Sequence, residues 1–356
     1  MKVKTQVLKE LVSKAIVGCG NDKSIPMTNY IAIAVQDNLL KLTTTDYTNY
    51  LEVSTPVEED DFYCIAVAER FSKLIGKLTS EYVTLTDEGS RLKVSANGEY
   101  SIDLLEDENG ERVKFIELPE IKAKKPKTLS KEVVEEVIHT VKPSLAVTYE
   151  RPYLTNYYVG EVICGSNGSF VSEYKDKLLD KSQLISAPLM DLISTFDEDV
   201  IKYEIGESYL LFVTDTMKIY SKCEIGEGDY AIDRIKQFLK TKFDKYVKVD
   251  KDLLLSAIDR VALFTDKTDN RALKLIFNDG NITIKNVKDN SYEVVACTEV
   301  KAKEPDFELY INADMLTVQL KAYNGEVVKI GYGHDHVISL TTDKTTQIVA
   351  LMSVNK

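Results

Sequence analysis

The chain has 356 residues, 44% of them hydrophobic and 29% charged, with a formal net charge of −12. That balance fits a globular protein of two or three domains, and no apolar run approaches the roughly 18 residues of a membrane span. The excess of negative charge lowers the expectation of tight nucleic-acid binding, although a local basic surface can coexist with it.

In chain order, the first predicted element is an amphipathic helix carrying Val7, Leu8, Leu11, Val12, Ala15 and Ile16 behind a candidate N-cap at Thr5. Lys9, Glu10 and Lys14 interrupt it, so it does not read as a secretory signal. Apolar-rich strands follow (YIAIAV, LLKLTTTD, YLEVSTPV), with alternation at Leu40 and Leu42 that suits an antiparallel sheet with one buried face. An extended segment ending Ile65-Ala66-Val67-Ala68 then runs into the helix ERFSKLIGKL and two further strands, YVTLTD and RLKVSA. The order repeats. Ser130 precedes a helix with Val133, Val134, Val137, Ile138 and Val141; Ile185-Ser186-Ala187-Pro188 runs into LMDLISTF; VIKYEI and YLLFVT follow. Asp250 precedes Leu253, Leu254, Ala257, Ile258 and Val261; Ile311-Asn312-Ala313-Asp314 runs into MLTVQLKAY; VVKIGY and VISLTT follow. A period of about 120 residues is too long for a solenoid unit and suits a small domain. The segments Glu117–Lys127 and Lys240–Lys248 read as linkers. The class is α+β: three tandem copies, each with two helices packed on antiparallel sheets, over 1–121, 122–246 and 247–356.

The residues offer little chemistry. Cys19, Cys64, Cys164, Cys223 and Cys297 are odd in number and lack CxxC spacing, as in reduced thiols of a cytoplasmic protein. His334 and His336 can point the same way, but Asp335 alternates away from them, so a turn is favoured over a metal site. His139 lies on a polar helix side, and Gly165-Ser166-Asn167-Gly168 reads as a hairpin turn. The acidic runs at Glu58–Asp61 and Glu106–Glu108 read as solvated loops. Nucleophile-elbow, HExxH, Walker and GxGxxG patterns are absent from the sequence. No catalytic residue, metal or cofactor is implied. Basic residues do recur on the helices' polar faces.

NLLKLTTTDYTNYLEV, Asn38 to Val53, resembles the L-x-L-T-A-T-D-L-E motif of bacterial sliding clamps, the DNA polymerase III beta subunits. Ser24-Ile25-Pro26 is similar to that family's T-L-P-I-L segment, Arg151-Pro152-Tyr153-Leu154 to its R-Y-Y-L, and QIVALMSVNK to its apolar C-terminal tail. The resemblance spans essentially the whole chain. It implies a ring-forming DNA-clamp fold: a head-to-tail homodimer that encircles double-stranded DNA without sequence preference, slides, and tethers the replicative polymerase and clamp loader as a processivity factor. The family's peptide-binding pocket maps to Leu154, Ser172, Leu178, Phe243, Val247, Met352 and Val354. Tyr174 stands where the family has a groove-opening glycine. The dimer interface maps to Tyr100, Ile102, Leu263 and Phe264, and the DNA-facing set to Lys9, Lys14, Lys23, Arg70, Lys73, Lys77, Lys142, Arg151, Arg260 and Lys321. Glu132, Glu135 and Glu136 beside Lys131 depart from a uniformly basic lining. The alternative is a tandem-domain β-rich structural or adhesion protein without enzymatic activity, which solution mass distinguishes from a dimer.

Overall fold

The structure is a computed structural model describing residues 1–353 apart from 21–23, 108, 123–124, 149, 224–229, 267, 269 and 302–306. It divides into two compact units, Met1–Glu132 with Pro188–Glu224, and Val133–Ala187 with Ile225–Lys356.

The first unit opens with β1 (Lys2–Lys4), α1 (Thr5–Ala15), β2 (Tyr30–Gln36), β3 (Leu39–Thr45), β4 (Asn49–Pro56), β5 (Phe62–Val67), α2 (Ala68–Lys77), β6 (Tyr82–Asp87), β7 (Arg91–Ser95) and β8 (Glu99–Asp103). Alternation selects the core. Leu8, Leu11 and Val12 of α1 and Phe71 and Ile75 of α2 are buried, and the two helices pack on each other. Each such side chain contributes about 1.5–3 kcal/mol by leaving water. The end of α1 sits close to the sheet beneath it: a Cβ on Gly18 would lie 2.5 Å from Thr44 Oγ1 and 2.8 Å from Leu51 Cβ, so only glycine fits.

The same order recurs twice. β9 (Lys127–Ser130), α3 (Lys131–Val141), β10 (Asn156–Val159), β11 (Ile163–Ser166), β12 (Phe170–Tyr174), β13 (Gln183–Ser186), α4 (Ala187–Ser194), β14 (Val200–Ile205), β15 (Tyr209–Val213) and β16 (Met217–Lys222) form the second copy. After an extra helix, α5 (Ile232–Leu239), the third comprises β17 (Lys245–Asp250), α6 (Lys251–Ala262), β18 (Ala272–Asn278), β19 (Asn281–Asn286), β20 (Tyr292–Lys301), β21 (Phe307–Asn312), α7 (Ala313–Lys321), β22 (Val327–Tyr332), β23 (Val337–Thr341) and β24 (Thr345–Ala350). Asp250 caps α6 by accepting the Leu253 N–H, as its position suggests, and Asn312 caps α7 through the Met315 N–H. Thr5 is the first residue of α1 rather than its cap, and the preceding Lys4 makes no capping bond. The Lys240–Lys248 segment is not all linker, because β17 begins at Lys245 and is paired on both sides.

Strand pairing repeats with the elements. The first copy contains the orders β1-β6-β7-β8 and β5-β2-β3-β4, and the other two copies reproduce both. Within the first unit β4 pairs antiparallel with β16, and within the second β12 pairs antiparallel with β24. Among the described residues β1, β5, β8, β9, β13 and β21 end their sheets, but by the pairing that joins the copies only β8 and β20 lack the partner that their counterparts have. β8 pairs with β7 alone, and over Tyr292–Ala296 β20 has β19 on one side only.

Candidate functional site

The second unit contains an apolar cleft of ≈ 420 Å³, within the usual range for ligand sites. Its floor is the outer face of the β12–β24–β23 sheet. Val171 lies directly across from Ile348, and Val337 across from Ala350, so all four side chains share one face. Their neighbours Phe170, Val349 and Ile338 belong to the third copy's core. One wall is the short turn at Pro152–Thr155 with Tyr153 and Leu154, flanked by Arg151. Beside it lies the β11–β12 hairpin. Gly168 takes φ +92 there, and Asn167 Oδ1 accepts the N–H groups of Ser169 and Phe170 at 2.9 and 3.0 Å. The opposite wall is α5, whose Ile235 is buried while Phe238 is 38% exposed. Ile232 and Leu239 pack on the same cluster, and stacking of Tyr158 on Tyr230 with centroids 5.5 Å apart fills the space beneath. Arg151, Arg234 and His336 supply polar groups to the lining, which includes no carboxylate among the described residues.

The resemblance placed seven residues here. Leu154 lines the cleft. Ser172 does not: it points inward with Phe170, fully buried, with its hydroxyl 2.6 Å from Ser144 Oγ and donating to Gln319 Oε1 at 3.1 Å. Leu178 is buried away from the lining, and Val247 belongs to the third copy's core. Phe243 packs against the cluster under the cleft without lining it. Met352 leaves β24 with its N–H bonded to the Tyr310 carbonyl, so the preceding Leu351 lines the cleft instead. Val354 lies outside the described residues. Tyr174 is buried at the end of β12 and does not line the cleft. The sequence reading missed Tyr153, Val171, Ile235, Phe238, Val337 and Ile348; the 232, 235, 239 spacing of apolar residues was the available signal for α5.

A second concavity, ≈ 520 Å³, lies where α6 ends beside β20, lined by Leu263, Phe264, Tyr292 and the Arg260–Glu293 pair. Leu263 is 79% exposed and Phe264 59% exposed, with Tyr292 and Val294 also open to solvent on the strand whose edge is free. Arg260 donates both Nε and Nη2 to the Glu293 carboxylate, at 2.7 and 2.8 Å, which draws it toward β20. On β8 Tyr100 is exposed. Ile102 is wholly buried in its own sheet, so it offers no side chain to an interface.

Of the remaining basic residues, Arg70, Lys73 and Lys77 are exposed on α2, and Lys9 and Lys14 are half-buried on α1, Lys14 beside Asp197. Lys142 and Lys321 are exposed near helix ends. Arg151 lies in the cleft, not on a helix face, because the turn that follows α3 carries it there. Lys23 lies outside the described residues. Burial pushes the Cys19, Cys64 and Cys164 thiols up to about 12 and Cys297 to about 11, and raises Cys223, so none of the five is an activated nucleophile. His334 and His336 face each other across a turn, and the His336 N–H donates to His334 Nδ1 at 3.1 Å. No group of three or more His, Cys, Asp or Glu residues able to hold a metal occurs among the described residues, and no helix among them is long and apolar enough to cross a membrane.

Comparison with known proteins agrees with this geometry. Residues 236–352 match the family model of the DNA polymerase III beta subunit, C-terminal domain. No curated protein sequence matches. Among solved structures, the DNA polymerase III beta chain of Streptococcus pneumoniae is 16% identical with a TM-score of 0.86, covering 99% of both chains. The DNA polymerase sliding clamp of Bacillus subtilis gives the same figures, and that of Pseudomonas aeruginosa is 15% identical with a TM-score of 0.84 over 99% of both chains. The chain therefore has the sliding-clamp fold throughout, and its residues 236–352 match the family model of the C-terminal domain of the DNA polymerase III beta subunit.

Proposed function

We propose that the protein is a DNA polymerase processivity factor: a cytoplasmic, non-catalytic, head-to-tail homodimer of three clamp domains per chain (1–121, 122–246, 247–356) that closes as a ring around duplex DNA. The observation that carries this reading is the repeated strand pairing. β4 meets β16 and β12 meets β24, so by the same rule β20 should meet β8, and no β8 beyond the chain's own exists except in a second copy. A heterologous contact of this kind either closes into a ring or grows into a filament. Closure pairs the exposed edges of β8 and β20, which would otherwise invite aggregation, and covers Leu263, Phe264, Tyr292 and Val294, a larger apolar surface than scattered exposure explains. The cleft takes an apolar peptide segment of the replicative polymerase or clamp loader, with Phe238 and Leu154 on opposite walls.

Such a ring is retained by topology rather than affinity. The test is loading onto nicked circular DNA followed by linearisation: the protein stays on circles through a high-salt wash and is lost from the linear form. Equal retention on both would mark ordinary binding and overturn the reading.

A further inference from the structure

The two helices of each of the three copies carry different charges. On α1 and α2, Lys9, Lys14, Arg70, Lys73 and Lys77 outweigh Glu10 and Glu69, for a net +3. On α3 and α4, Lys131 is set against Glu132, Glu135, Glu136 and Asp191, for a net −3. On α6 and α7, Lys251, Arg260 and Lys321 balance Asp252, Asp259 and Asp314.

The cations also differ in how firmly they are held. Arg70, Lys73 and Lys77 fall at i, i+3 and i+7, an exposed stripe about 10 Å long on one face of α2. Their partners are weak competitors. Arg70 is 3.5 Å from Asp103 and Lys73 pairs with Glu69, and all four side chains are mostly exposed. Such pairs contribute about 0–1 kcal/mol and give way to a phosphate. In the third copy Arg260 is instead gripped through two bonds by Glu293, and Lys251 Nζ donates to the Tyr323 carbonyl at 3.3 Å. On α3, Glu132 and Glu135 are exposed, and Glu136 accepts from Asn324 Nδ2 at 2.8 Å.

We propose that the duplex is held from one side: DNA phosphates contact α1 and α2 of the first copy, and the acidic face of α3 holds the duplex away from the second. This rests on the ring reading above and gives it a specific contact surface. Few phosphates are engaged, so binding is weak and shallow in its salt dependence, which suits sliding.

Equilibrium binding to a short linear duplex is measured across salt for four proteins. Lys73→Ala with Lys77→Ala lowers the slope of log K against log salt by about 1.8, or 0.9 for each phosphate no longer neutralised. Lys251→Ala with Lys321→Ala leaves the slope as in wild type. Glu132→Gln with Glu135→Gln raises affinity about threefold at the lowest salt, the direction that relieving repulsion of phosphate requires. Equal slope reductions from the two lysine pairs, or no gain from the glutamine pair, overturns the proposal. Retention of wild type on circles is scored separately. A protein that fails to stay on circles defeats the ring reading, while the linear-duplex slopes still decide which helices meet DNA.

Discussion

Phe238 is the large apolar side chain most open to solvent in the cleft, on a helix that stands outside the threefold repeat. Its exposure means that truncation leaves the fold nearly untouched while removing contact area from an occupant. Phe238→Ala is expected to weaken binding of the cognate polymerase about tenfold, consistent with about 1.5–3 kcal/mol for a buried aromatic contact that is only partly covered. Surface plasmon resonance checks this; unchanged affinity would remove α5 from the peptide site. At this scale the sequence was only partly legible. Leu154 could be placed because it sits in a motif. Val171 and Ile348 could not, because the residues beside them, Phe170 and Val349, are equally apolar: the sheet is buried on both faces, so alternation does not say which face meets the cleft.

Among elements, α7 is fixed by a buried polar knot. Gln319 Nε2 donates to Ser144 Oγ at 3.0 Å, its Oε1 accepts from Ser172, and Gln347 Nε2 donates to both its carbonyl and its Oε1 at 3.0 and 3.1 Å. The knot joins the turn after α3, strand β12, helix α7 and strand β24. It also explains why Ser172 is unavailable to a peptide. Gln319→Leu keeps the Ser144–Ser172 bond and the bond from Gln347 Nε2 to the backbone carbonyl, but leaves the Ser172 hydroxyl and one Gln347 N–H without their acceptor, at about 1–3 kcal/mol for each group left unsatisfied. We expect a loss of about 2–4 kcal/mol in urea unfolding; a change below about 0.5 kcal/mol would show that water or rearrangement satisfies the group. Helix positions were legible from their 3.6-residue stripes. α5 was not, because its eight residues are flanked by charge and stand outside the repeat, just before the Lys240–Lys248 stretch that read as a linker and in which the start of β17 was hidden. Its pairing partners, β20 and β22, are more than 40 and 70 residues away in sequence, and such long-range pairing leaves no local signal.

For the whole molecule, the repeat was the most readable property, since three helix-and-strand series of one order need no partner to be seen. What it could not disclose is which strands each copy leaves over. That follows from the pairing of β4 with β16 and β12 with β24, which leaves β8 and the first half of β20 without the neighbour that their counterparts have. Ring closure depends on whether a second chain supplies it. Sedimentation equilibrium at micromolar concentration measures this most directly. Wild type should sediment at twice the chain mass, and Leu263→Asp with Phe264→Asp, which places two carboxylates in the exposed apolar patch, should sediment as a single folded chain. A wild-type protein of one-chain mass across that range, or a double variant that remains dimeric, would contradict closure through β8 and β20.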